Sequence, residues 1–182
     1  RTILLDPNGT GDPERYPRAR IAADWTTAME ALESEDAPGR ILVPRGARIR
    51  IEGQRLRPRL ANFWLGAWGQ GAAPVIEAEG DACLDLTPRF GGDTALSGLR
   101  FVGPWDSVRE RGRFLTALGI RPSDMPRAVT VSDCDFSGWG LTIRAQRTED
   151  GIESGAEGER DLNALFLHDC GIGNWGDYGL FG

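Results

Sequence analysis

The 182-residue chain carries 21 basic against 27 acidic side chains, a formal net charge of −6. That length suits one domain, or one compact piece of a larger protein, and the acidic balance argues against nucleic-acid binding, which needs basic side chains gathered on one face. Every basic residue is Arg, so no Lys can form a Schiff base, clamp a phosphate or act as general base; a cationic catalyst has to be an Arg or the single His168.

The chain opens without the apolar core of a signal peptide, and no run reaches the roughly 18 apolar residues of a membrane span. In "DPNGTGD", Asp6, Asn8, Thr10 and Asp12 alternate as in a calcium loop, but Pro17 stands where the bidentate acid belongs. The stretch reads as a turn, and its "NGT" is formally a glycosylation sequon. Residues 24–34 form the one predicted helix: Trp25, Ala28, Met29 and Leu32 fall on one face, with Asp24 as N-cap. Residues 39–53 read as a strand, a Pro-Arg-Gly turn and a second strand in which Ala47, Ile49 and Ile51 alternate with Arg48 and Arg50. Val75, Cys83, Leu84 and Leu86 continue the pattern of short apolar runs.

From residue 96 the chain repeats itself. "VSDCDFSGWG" (131–140) returns as "LHDCGIGNWG" (167–176), with a weaker copy in "LSGLRFVGPW" (96–105). The copies align Leu96, Leu99 and Phe101 with Val131, Cys134 and Phe136, and with Leu167, Cys170 and Ile172. In each copy the last two apolar residues alternate as in a strand with one buried face. The break before them is a bend, where Asp133 and Asp169 hold the corner between the second and third strands of their coils. Trp105, Trp139 and Trp175 follow the turns, and "LTIR" (141–144) and "YGLF" (178–181) come next as further short strands. Polar, Gly-rich stretches at 109–127 and 145–161 read as loops. Short strands, tight corners and a period of 35–36 residues describe a solenoid coil, which the helix would cap. Cys134 and Cys170 then face inward in consecutive coils, as small apolar rungs or, less naturally, as a disulfide. "GIGNWG" matches a dinucleotide fingerprint in letters only, since no helix can open at its third Gly.

"DPNGTGD … WTTAMEALESEDAPGRILVPRGARIRI", with the later "SGLRFVG" and "VTVSDCDFSGWG", resembles the right-handed parallel β-helix proteins of the pectate-lyase-like superfamily. The resemblance covers the whole chain as a pattern, apart from an extra stretch at residues 12–24. It implies an all-β fold: a right-handed parallel β-helix with an N-terminal capping helix at about 24–34 and coils over about 39–182, continuing beyond 182. It also implies a carbohydrate-active protein, secreted or at the cell surface, acting as polysaccharide lyase or glycoside hydrolase on an acidic polysaccharide. A non-catalytic scaffold, adhesin or tail-spike-like glycan binder is the alternative, because the paired catalytic Asp residues and Gly-His-Gly partner of the polygalacturonase-like hydrolases are missing. The expected substrate-binding residues are Trp105, Trp139 and Trp175, whose faces suit sugar rings. The expected catalytic residues are Arg144 and Asp177, beside the strand that in such enzymes lines the groove. There an Arg can neutralise a uronate or take a proton, and carboxylate-held Ca2+ can share the neutralisation.

Overall fold

The computed structural model describes residues 1–9, 16–33, 38–52, 55–56, 62–79, 83–86, 93–104, 116–120, 128–138, 141–145, 164–173 and 178–181. In chain order these give β1 (Thr2–Leu5), β2 (Arg20–Ala22), α1 (Trp25–Glu33), β3 (Gly39–Pro44), β4 (Arg48–Glu52), β5 (Arg55–Leu56), β6 (Phe63–Trp68), β7 (Val75–Glu79) and β8 (Cys83–Leu86). They continue with β9 (Thr94–Ser97), β10 (Arg100–Val102), β11 (Thr116–Ile120), β12 (Ala128–Ser132), β13 (Asp135–Ser137), β14 (Leu141–Ala145), β15 (Ala164–His168), β16 (Gly171–Gly173) and β17 (Tyr178–Phe181). The described chain is therefore all-β with one short helix, and the strand pairings within it are parallel.

From β3 onward the chain visits three sheets in strict rotation. β3, β6, β9, β12 and β15 lie in the first sheet, β4, β7, β10, β13 and β16 in the second, and β5, β8, β11, β14 and β17 in the third. β1 and β2 extend the first sheet beyond β3. Register carries one inward residue per circuit into continuous columns. Ile3, Ile41, Leu65, Leu96, Val131 and Leu167 run through the first sheet. Ile49, Ile76, Phe101, Phe136 and Ile172 run through the second. All of these are buried except Leu167 and Ile172, which are half-buried and pack on the same core. The Phe101 and Phe136 rings stack with centroids 4.9 Å apart and planes 7° from parallel, an arrangement worth about 1 kcal/mol beyond the area it buries.

The recurring Asp, expected between the second and third strands of each coil, sits instead at the corner between the first and second sheets. Gly98, Asp133 and Asp169 occupy it in successive circuits with φ of 68°, 50° and 53°. This left-handed region is costly for most side chains, but Gly, Asn and Asp enter it readily. The Gly98 and Asp133 amides donate to the Ser132 and His168 carbonyls of the following circuit, at 3.1 and 3.3 Å. One residue on, the expected Leu99–Cys134–Cys170 stacking appears as a backbone ladder. Asp135 N donates to Leu99 O and Gly171 N to Cys134 O, both at 2.9 Å.

The Cys134 and Cys170 side chains are free thiols. Cys134 is buried and donates to Ser132 O at 3.2 Å, while Cys170 donates to His168 O at 3.3 Å. Burial pushes the Cys134 thiol up to about 12, so the pair serves as small apolar rungs.

α1 starts as its sequence dictates. Asp24 Oδ1 accepts the Thr27 amide at 2.8 Å and Oδ2 accepts the Thr27 hydroxyl at 2.9 Å; these bonds, the amide first, hold the carboxyl below its ordinary value. Trp25, Ala28, Met29 and Leu32 are buried in one cluster with Ile3, Leu5 and Ala22. The helix thus packs its apolar face at the β1–β2 end of the core, the position a cap must take.

Two readings change. Residues 109–127, expected as a loop, contain β11, whose Leu118 pairs with Leu84 on one side and Ile143 on the other. Five residues with a Gly among them carry no alternation of their own; pairing on both edges supplies the stability that the local pattern lacks. The extra stretch at 12–24 contributes β2, which pairs with β1, and Tyr16 and Ala19, which pack on Leu4, Leu42 and Trp68 outside the first sheet. The loop expected at 145–161 falls outside the described residues, apart from Ala145, the last residue of β14.

Candidate functional site

Strand alternation that turns Ile41, Phe63 and Leu65 inward turns Arg40 and Trp64 outward on the first sheet. These two side chains, with Thr2, Asn62, Asp93 and Ala95, line a cavity of about 480 Å³. Trp64 is 37% exposed, one of few large apolar side chains so open among the described residues.

The indole is anchored at both ends. Its Nε1 donates to Ser97 Oγ at 2.9 Å, and the Arg40 guanidinium carbon lies 5.4 Å from the ring centroid. Arg40 is itself oriented by its Nε, which donates to Thr2 Oγ1 at 2.7 Å. Its two terminal nitrogens have no acceptor among the described residues. Gly66 makes the arrangement possible: a Cβ there would meet Trp64 Nε1 at 3.0 Å, Cε2 at 3.1 Å and Ser97 Oγ at 3.2 Å. The indole therefore lies down across a strand position that has no side chain. At the rim, the Asp93 amide donates to Asn62 Oδ1 at 3.1 Å, and backbone bonds Phe63 N to Asp93 O and Gly39 N to Asn62 O fix the strand entrances. An aromatic surface, a positioned cation and a rim amide can together contact a polar ring that carries an anionic group.

Outward charges pair on the second sheet. On the second sheet Glu77 lies 3.1 Å from Arg48 and 3.6 Å from Arg50, and Asp135 lies 3.7 Å from Arg100. Such exposed pairs are worth about 0–1 kcal/mol each. Ser132 and His168 are register partners on the outer face of the first sheet, and His168 Nδ1 sits 3.2 Å from Asp169 Oδ2, with both residues exposed. Among the described residues no group of three or more His, Cys, Asp or Glu could hold a metal ion. No helix among them is long and apolar enough to cross a membrane.

Of the residues expected to form the site, Trp105, Trp139, Trp175 and Asp177 lie outside the described residues. Arg144 lies in β14 of the third sheet, where its Cα pairs with Gly119 on one side and Phe181 on the other; its side chain is outside the described part. The sequence reading passed over Trp64 and Arg40. The strand "FWLGAW" is apolar at nearly every position, so alternation gives no sign of which residues face out. The available signal was the Gly two residues after a Trp, which opens room for the ring.

Comparison with protein-family models, curated proteins and solved structures gives no match. What fold and groove define together is a class: an all-β chain of three parallel sheets with an outward aromatic–cation groove on the first.

Proposed function

We propose that the three sheets are the faces of a right-handed parallel β-helix of the pectate-lyase-like kind, capped by α1, and that the protein acts on an acidic polysaccharide. The strict rotation of the chain through three parallel sheets supports the architecture. The observation that carries the function is the pairing of Trp64 with Arg40 in the groove. The exposed part of the indole offers an apolar surface to a sugar ring, and the guanidinium offers donors to its carboxylate, a charge-assisted contact. In the lyase form of this reading, Arg144 as its free base removes the proton beside the uronate carboxyl, a carbon–carbon double bond forms as the carbon–oxygen bond on the adjacent carbon breaks, and the departing oxygen keeps the bonding pair and takes a proton from water. This reading assigns Asp177 a role either as a partner of Arg144 or as an acid for hydrolysis. A second reading is favoured by one feature: the groove lies on the first sheet, whereas Arg144 lies on the third. A glycan-binding scaffold without catalysis needs only the groove.

Titrating polygalacturonate and alginate into the protein, while following Trp fluorescence and the ultraviolet absorbance of unsaturated product, tests both. The lyase reading predicts saturable binding with rising absorbance, which Arg144→Ala abolishes without loss of binding. Binding without an absorbance rise or new reducing ends selects the scaffold. No binding of any acidic polysaccharide overturns the proposal.

A further inference from the structure

The groove at Trp64 is one end of a longer strip. Register places Trp64, Ala95, Thr130 and Phe166 in a single outward row, one residue per circuit. Beside it runs a second outward row of Ser97, Ser132 and His168. Phe166 is 54% exposed, although its strand neighbour Leu167 packs on the core. Ala95 and Thr130, between the two aromatic residues, are half-buried and small. The first row is therefore aromatic at its two ends and low in the middle, and the second offers hydroxyl and imidazole groups along its length.

We infer that this strip is a binding track for an extended anionic oligosaccharide lying across the strands, with Trp64 and Phe166 each under a sugar ring and Arg40 on a carboxylate at the Trp64 end. The inference rests on reading the groove as a glycan site and adds the length and direction of the ligand. Three strand spacings separate Trp64 from Phe166, about 14 Å at about 4.8 Å each, and one spacing is close to the advance of one hexose in an extended chain. Sugars between the two platforms pass over Ala95 and Thr130, within reach of Ser97 and Ser132. Asp169 fixes the His168 ring beside Phe166 through Nδ1. A ligand running along a strand instead would meet only one aromatic platform.

The test uses galacturonic-acid oligomers of defined length, with binding measured by calorimetry. Wild type binds the hexasaccharide more tightly than the disaccharide. Phe166→Ala weakens hexasaccharide binding about fivefold, which corresponds to about 1 kcal/mol for one stacked ring, and leaves disaccharide binding unchanged. Trp64→Ala weakens both. Thr130→Glu, which sets a negative charge in mid-track, weakens only the longer ligand. Phe166→Ala and Thr130→Glu proteins that melt like wild type yet bind both lengths as wild type does overturn the track and leave the groove standing. Failure of wild type to bind either length overturns the track and the glycan reading together.

Discussion

Phe136 and Phe166 are the same residue type in neighbouring circuits of one stack, yet they are assigned opposite fates. Phe136 is 2% exposed and stacked on Phe101, whereas Phe166 is 54% exposed on the outer face. An aromatic side chain withdraws about 150–250 Å² from water, which at about 25 cal/mol/Å² amounts to about 4–6 kcal/mol. An extended unfolded reference inflates such a figure, and buried Phe→Ala changes fall at about 3–5 kcal/mol. Phe136→Ala is therefore expected to cost about 3–5 kcal/mol, a large share of the roughly 5–15 kcal/mol available to a domain. Phe166→Ala is expected to stay within about 0.5 kcal/mol. Urea unfolding followed by far-ultraviolet circular dichroism measures both, and a Phe101→Leu/Phe136→Leu double-mutant cycle isolates the stacking, expected at about 1 kcal/mol. Equal costs for Phe136→Ala and Phe166→Ala, or zero coupling in the cycle, would refute the inward and outward assignment on which the columns rest.

Gly66→Ala keeps the strand but drives a Cβ toward the Trp64 indole, so Trp64 fluorescence should shift and polysaccharide affinity fall with little change in the melting temperature. An unchanged spectrum would mean that the ring does not lie over Gly66. Asp24→Ala should destabilise the capped end of the core. Because the folded Asp24 pKa is lowered from an ordinary 3.8, the cap's contribution is present above that value and is lost as pH falls through the folded pKa; a wild type and Asp24→Ala pair whose stability gap does not narrow at acid pH would contradict the capping bonds. Cys134, with a folded pKa raised from 9.0 to about 12, should resist alkylation in the native protein more than the partly exposed Cys170 does. The sign is that of a group kept protonated by folding: between those two values the native state holds the proton longer, so this residue lowers stability as pH rises above 9.0. Faster labelling of Cys134 than of Cys170 would remove it from the interior.

The parts of the fold that could be read from the sequence are those where one residue had one reason to be there. Phe101, Phe136 and Ile172 recur at one offset in the repeated copies, so their shared column was readable, and Asp133 and Asp169 recur because few other side chains tolerate that corner. The helix announced itself by its cap and its stripe. Farther upstream the echo fades because circuit length changes. Leu65 follows Ile41 by 24 residues and Leu96 follows Leu65 by 31, whereas Leu167 follows Val131 by 36. A fixed-period comparison therefore finds only the last circuits. Trp64 and Trp68 show the other limit. Both turn outward from β6, but Trp68 is covered by Tyr16, whose ring meets it edge-on at 5.8 Å, and Trp64 is left open. That difference is set by a segment some 50 residues away, and no local pattern encodes it. Neither could spacing alone bring Arg40 over Trp64, since their neighbourhood depends on the register between β3 and β6.

Amide hydrogen exchange of the protein with and without an acidic polysaccharide tests the central claim most directly, because it locates the ligand as well as detecting it. The account predicts slower exchange on binding in peptides covering residues 38–42, 62–66 and 93–97, with no change across 48–52 and 75–79 on the outer face of the second sheet. Protection confined to the second sheet, or no protection anywhere at saturating polysaccharide, would contradict it.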